Sequence, residues 1–287
     1  MVDGLFRVRV GADVRLAIGS AETGPDRLLP AGLTVAEVLG DTEGLTRAVG
    51  SADVTPWSAP TSTVLAPVDR QEIWAAGVTY RRSRDARKDE SSVADVYDRV
   101  YAARRPELFF KAPAWRVSGQ GEPVGIRRDS IWDVPEPELG VVVAADGGIA
   151  GWVIGNDMSS RSIEGQNPLY LPQAKVYRHS CALGPCLVPW EAITHPVGID
   201  LLIERDGHTV FEGSTSTSEI VRPFEDLVEA LVRAIDFPDG AILLTGTGVV
   251  PDAAFTLQER DLVEIRIDGL GALRNQVVVV GNAEPTG

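Results

Sequence analysis

The sequence predicts an α+β protein, mainly β, with a small N-terminal α/β domain. Three observations predict this. Short apolar runs punctuated by Gly or Asp-Gly recur along most of the chain. Only two longer segments carry a helical apolar spacing. A Ser-, Thr-, Pro- and Ala-rich stretch, "SADVTPWSAPTSTVLAPVD", separates two differently patterned parts. The boundary falls near residue 66, giving a domain of residues 1–65 and a larger one of residues 66–287.

Within the first part, residues 5–19 alternate charged and apolar side chains. "FRVRV" and "VRLAI" predict a hairpin turning at "GAD". "TVAEVLG", with Thr34 as cap, and "TEGLTRAVG" predict two short helices. In the second part, "EIWAAG", "ELFFK", "LGVVVAA", "GWVIGND", "DLLIERDG", "AILLTG", "LVEIRIDG" and "NQVVVVG" predict strands. "SSVADVYDRVYAARRP" predicts a helix with Val93, Val96, Tyr97 and Val100 on one face. "RPFEDLVEALVRAID" predicts another, started by Pro223, with Phe224, Leu227, Val228, Leu231 and Ile235 inward.

Composition narrows the function. The 287 residues are 44% hydrophobic and 24% charged, enough for a sizeable core. Lys and Arg number 27 against 41 Asp and Glu, a net charge of -14. Nucleic-acid binding wants a basic face, so it is not expected. Cys181 and Cys186 suggest no disulfide framework and are expected as free thiols. The N-terminus has no signal-peptide pattern, and no uncharged apolar run reaches membrane-spanning length. The expectation is a cytoplasmic protein without a membrane partner.

The stretch "DVPEPELGVVV" places Glu136 and Glu138 at the start of an apolar strand. Residues two apart share a strand face, so these carboxylates converge. Like charges on one face call for a cation, and hard divalent ions prefer oxygen ligands. A hairpin turning at "DGG" brings Asp157 back beside them, because 138 and 157 are almost symmetric about 147. The three acids are therefore candidate metal ligands, against a plain solvated strand end.

The order of the pieces resembles the fumarylacetoacetate hydrolase superfamily. The matching pieces are "AAGVTYRRSRDAR", "RPELFFKAP", "EPELGVVV", "GNDMSSRS", "LPQAKVYRHSCALGPCLVP", "RDGHTVFEGSTS", "LLTGTGVVP" and "DLVEIRIDGLGALRNQV", from about Trp74 to Asn282. The resemblance implies a mixed β-roll and a Mg²⁺ site (Mn²⁺ or Ca²⁺ being alternatives) at Glu136, Glu138 and Asp157. It also implies a site lysine, Lys175, and a substrate-touching pair, Gly246 and Thr247. Assembly as a homodimer or homotetramer is implied too, with the N-terminal segment serving assembly or covering the site. The hydrolases of the family carry a histidine after the first motif, where this chain reads "TYRRSRDARKDESS". The chain's histidines are His179, His195 and His208; His179, four residues after Lys175, is the one considered for a site role.

That departure, with "GVTYxxSR" and "RPELFFK", resembles the family's dehydratase branch acting on 2-keto-3-deoxy-pentonates. A small keto-acid substrate follows, losing water by enolate formation and β-elimination to give 2,5-dioxopentanoate, with a further loss of water at C5. Glu107 is the candidate base. Lys175 is a candidate to hold the enolate oxygen or carboxylate, or to serve as a base. Arg82, Ser83 and Arg84 suit a carboxylate or polyol. Phe110 and Lys111 are candidate substrate contacts, and Gly246 and Thr247 offer an N–H and a hydroxyl to an anion. The alternatives are a hydrolase cleaving a carbon–carbon bond in an acylpyruvate-like diketone, a decarboxylase or isomerase of similar acids, and a non-catalytic protein retaining the fold.

Overall fold

The structure, a computed structural model, describes residues 1–57, 63–80 and 103–282. The expected helix at residues 91–106 lies mostly outside them. The N-terminal strands are β1 (Asp3–Val10), β2 (Asp13–Ser20), β3 (Gly24–Leu28), β4 (Thr55–Pro56) and β5 (Thr63–Leu65). β1 and β2 form the expected hairpin, with Val10 opposite Asp13 and Gly11 in the turn at φ +62°. Between β3 and β4 lie two short helices, Val35–Val38 and Gly44–Val49. Thr34 and Glu37 make a reciprocal capping box on the first, satisfying backbone N–H groups that such a short helix cannot pair itself.

Next come β6 (Glu72–Gly77), β7 (Glu107–Pro113), β8 (Val124–Arg127), β9 (Asp133–Val134), β10 (Pro137–Val143), β11 (Ile149–Asp157), β12 (Ser159–Ser160) and β13 (Cys181–Pro189). The last are β14 (Gly198–Arg205), β15 (His208–Ser216), β16 (Ala241–Leu244), β17 (Leu262–Ile267) and β18 (Gly271–Val280). One long sheet runs β4-β3-β2-β1-β13-β11-β10-β16-β6-β7, with β5 beside β1. A second runs β15-β14-β17-β18-β8, and β9 pairs with β12. The mainly β expectation holds. β1 meets β13 at Leu5↔Leu187, which joins the N-terminal strands to the long sheet.

The long sheet is buried on both faces, which is why β10 is apolar without alternation. Leu139, Val141, Trp152 and Ile154 enter one core, and Val142, Ala144, Val153 and Leu183 the other. Helix Phe224–Val232 packs Leu227, Val228 and Leu231 into the first core. Pro223 precedes its first turn, as expected, but the helix stops at Val232. Ile235 therefore lies beyond it and is 38% exposed, not inward. Cys181 and Cys186 are free and buried. Among the described residues, no helix is long and apolar enough to cross a membrane.

Two glycines let the sheet close tightly beneath the acids. A Cβ on Gly155 would lie 2.3 Å from Leu244 Cδ2, and one on Gly140 2.8 Å from Val153 Cγ1. Leu244 fills the space that both glycines leave. Gly155→Ala should therefore overpack this layer and destabilise the protein by about 1–3 kcal/mol, measurable as a lower urea midpoint at unchanged slope.

Candidate active site

Five adjacent strands of the long sheet end at one edge, and each brings something. β10 pairs antiparallel with β11 in the register Pro137↔Asn156 and Glu138↔Gly155. That register continues to Glu136 and Asp157, whose backbones bond at 3.0 Å from Asp157 N to Glu136 O. Glu136 and Asp157 are thus directly opposite, with Glu138 two residues along the same face. β16 runs beside β10, and its chain continues into Gly246 and Thr247. β6 lies parallel to β16, ending at Gly77 and Val78, and β7 starts at Glu107 opposite Gly77.

The acids lie within ligand distance of a common point: one carboxylate oxygen from each of Glu136, Glu138 and Asp157 falls within 4.8 Å of the others. All three side chains are buried. Burial, then the charges of Asp157 and Glu136, hold the Glu138 carboxyl well above the usual carboxylate range. Three oxygens around one point, short of positive charge at Glu138, fit a hard divalent cation.

Cations inside the fold hold the set in place. Lys175, at the end of helix Leu171–Lys175, ion-pairs with Glu136 and donates to Asp157 Oδ2 at 2.8 Å and Ser159 Oγ at 2.6 Å. Arg161, opening helix Arg161–Gln166, reaches Glu136 Oε1 at 3.0 Å. Gly246 N–H donates to Glu138 Oε2 at 2.7 Å. Gly246 has φ +88°, and a Cβ there would lie 2.1 Å from Thr79 Oγ1, so glycine is required. Thr79 in turn donates to Thr245 O at 2.5 Å, and Thr245 Oγ1 to Leu139 O at 2.7 Å.

One cavity joins most of the expected residues. Its lining includes Glu107, Glu136, Glu138, Asp157, Lys175, Gly246 and Thr247. Gly77, Val78, Phe109, Glu164 and Leu171 complete its walls, with Ala76. Gly77 makes room for Glu107: a Cβ there would lie 2.2 Å from Glu107 Oε2. Val78 has φ +55°, a left-handed conformation that strains a β-branched residue and turns the chain at the cavity wall.

Two expected substrate contacts are corrected. Phe110 packs edge-on against Trp74, ring centroids 5.9 Å apart, and does not line the cavity. Phe109 does, and Lys175 Nζ lies 5.6 Å from its ring centroid. Alternation explains this: Glu107 and Phe109 share a face, and Phe110 takes the other. Lys111 is fully buried and spends all three protons on protein, donating to Met158 O at 2.9 Å and Lys175 O at 2.5 Å and pairing with Asp157. It is the extra residue of a bulge in β7, between the pairs Ile73↔Ala112 and Trp74↔Phe110, and the bulge re-aims it. Lys111 positions Asp157 and the end of the Lys175 helix; it does not face the cavity. Arg82, Ser83 and Arg84 lie outside the described residues. His179 sits 3.2 Å from Ser118 Oγ through Nδ1, away from the cavity. His195 lies tilted against the Trp152 ring, centroids 4.3 Å apart, and His208 starts β15.

Sequence reasoning missed Arg161, Glu164 and Ser159. Arg161 and Glu164 lie on a helix of six residues and Ser159 in a strand of two, both too short for periodicity to show. The usable signal was spacing: Arg161 and Glu164 are one turn apart and follow Asp157 closely.

With this geometry in place, comparison with known proteins is informative. Residues 72–278 match the family model described as fumarylacetoacetate (FAA) hydrolase C-terminal. The chain belongs to the fumarylacetoacetate hydrolase family. A relative from Haloferax volcanii, called probable 2-keto-3-deoxyxylonate dehydratase, is 52% identical over 216 residues, 75% of this chain and 74% of its own. A 2-dehydro-3-deoxy-D-arabinonate dehydratase from Saccharolobus solfataricus is 42% identical over 214 residues, 72% of each chain. A solved structure described as 2-keto-3-deoxy-D-arabinonate dehydratase complexed with magnesium and 2,5-dioxopentanoate superposes at TM-score 0.82 with 32% identity, covering 97% of this chain and 99% of that one.

Two outcomes follow from the site. Glu138→Gln should lower divalent-ion affinity at least tenfold by titration calorimetry while leaving the circular dichroism spectrum unchanged. Asp133, just before the acids, has its carboxyl pushed up to about 6, chiefly by burial. A raised carboxyl pKa favours the protonated fold, so its contribution is full below the ordinary value of 3.8 and is lost as pH rises through 6. Asp133→Asn removes that loss. The variant should match the parent near pH 3.5 and exceed it by roughly 3 kcal/mol at pH 7.5 in denaturant titrations.

Proposed function

We propose that this protein is a Mg²⁺-dependent hydro-lyase converting a 2-keto-3-deoxy-pentonate into 2,5-dioxopentanoate. The carrying observation is that Glu107 and Glu164 line the same cavity as the Glu136–Glu138–Asp157 set, with none of the chain's three histidines among its described lining residues. The family's hydrolases use a histidine to activate water; here, among the described residues, Glu107, Glu164 and Lys175 are the titratable groups that line the cavity beside the acid set. The two dehydratase relatives and the magnesium-containing neighbour support the same reading.

Glu136, Glu138 and Asp157 would hold the ion, which supplies positive charge against which negative charge at the substrate's C2 oxygen can build. The protein does the rest. Gly246 N–H and Lys175 fix the carboxylates from two sides. Thr247, buried beside them, has a hydroxyl that donates to Val249 O across a long 3.3 Å and would turn that proton to the substrate carboxylate. Glu107, held over Gly77, removes a C3 proton. The C4 hydroxyl then leaves as water. The product is the substrate less a single water, so a second loss at C5, expected from the sequence, does not balance: the remaining steps are proton shifts. Arg82, Ser83 and Arg84 are proposed contacts for the substrate's carboxylate and hydroxyls on charge and hydrogen-bonding capacity alone.

Assembly as a homodimer or homotetramer, supported by the family resemblance, and a cytoplasmic location belong to the same proposal. So does a separate N-terminal unit of residues 1–65 ahead of a catalytic portion of residues 66–287, supported by the family match starting at residue 72.

Incubation of 2-keto-3-deoxy-D-arabinonate or -xylonate with Mg²⁺ should yield 2,5-dioxopentanoate, read by coupled oxidation of its aldehyde. Excess chelator should stop the reaction and added Mg²⁺ restore it. Pyruvate released from an acylpyruvate, with no aldehyde from either sugar acid, would assign a hydrolase instead.

A further inference from the structure

Among the described residues, six titratable side chains line the cavity: Glu107, Glu136, Glu138, Asp157, Glu164 and Lys175. Three belong to the acid set. Lys175 is committed to Glu136, Asp157 and Ser159. Glu107 and Glu164 are the two carboxyls of the lining outside the acid set, and they come from different elements: Glu107 opens β7 over Gly77, and Glu164 comes from helix Arg161–Gln166. That helix is fixed at its start by Ser160, whose side chain accepts from Ile163 N, and by Arg161 on Glu136. Glu164 is 6% exposed, so its carboxyl is held in the cavity wall and not in solvent.

We infer that Glu164 is a second catalytic carboxyl, the general acid that protonates the departing C4 hydroxyl while Glu107 works at C3. The inference rests on the dehydratase reading. The steps balance with these two groups alone. Glu107 takes a proton from C3, and the electron pair moves toward the C2 oxygen. That pair returns to form the C3–C4 double bond, the C4–O bond breaks, and Glu164 gives its proton to the oxygen, which leaves as water. Glu164, now a carboxylate beside C4 and C5, removes a proton from C5. Glu107 returns its proton to C3. The C5 enol so formed becomes the aldehyde by gaining a proton at C4 and losing one from its oxygen. Both carboxyls end as they began, one water is lost, and no oxidant or reductant is needed.

The test separates the two carboxyls with a probe that has no C4 hydroxyl. In heavy water, exchange of the C3 protons of 2-oxobutanoate requires the base but not the acid. E164Q should exchange within about threefold of the parent, yet dehydrate the sugar acid about 10²–10⁴-fold more slowly. E107Q should lose exchange and dehydration together. Both variants should bind the divalent ion as the parent does, which checks that the site is intact. Loss of 2-oxobutanoate exchange in E164Q with ion binding retained would overturn the assignment, as would dehydration at the parent rate. If the parent exchanges 2-oxobutanoate but yields no aldehyde from either sugar acid, the dehydratase reading fails, and the role of Glu164 with it.

Discussion

Three carboxylates buried within a few ångströms of one another are the interaction on which this site depends. Coulomb repulsion in a low-dielectric interior would scatter them unless opposite charge were fixed nearby. Lys111, Lys175 and Arg161, all buried, supply that charge from three separate elements. The surroundings follow from this need. The bulge in β7 exists where Lys111 must turn inward. The helices carrying Arg161 and Lys175 are short, and they pack against the sheet edge where the acids emerge.

The sheet contributes precision of another kind. Strand register is insensitive to solvent and salt, so directions set by pairing persist when charges are changed. Asp157 faces Glu136 because two backbones are bonded, and Gly246 reaches Glu138 because β16 lies next to β10. A cavity built at the ends of adjacent strands can vary its far wall without moving its floor. This agrees with a family in which one acid set serves different reactions on keto acids.

Much of this was legible in the sequence, for reasons that can be named. β6 matches its apolar run residue for residue, and β17 stops at the Asp-Gly that closes its run, because turn residues bound them. The convergence of Glu136, Glu138 and Asp157 follows from period two and a turn near the middle. β13 is central and wholly buried, yet its Gly, Pro and Cys content hides a strand pattern. Phe110 in place of Phe109 was an error that alternation from Glu107 would have prevented. Lys111 was not open to that correction, since a bulge has no signature in a single sequence. Glu164 belongs to a helix too short to announce itself.

The β10–β11 hairpin carries a second irregularity, between Val142 and Val143, where Val142↔Gly151 gives way to Val143↔Ile149 and Ala150 is left over. It lies on the turn side of the acids. A residue gained or lost there shifts parity only toward the closed end of the hairpin. The open end keeps its pairing, and the ligands keep their face. The hairpin is thereby divided into a stretch where evolution can insert or delete freely and a stretch where one added residue would turn Asp157 away from its partners.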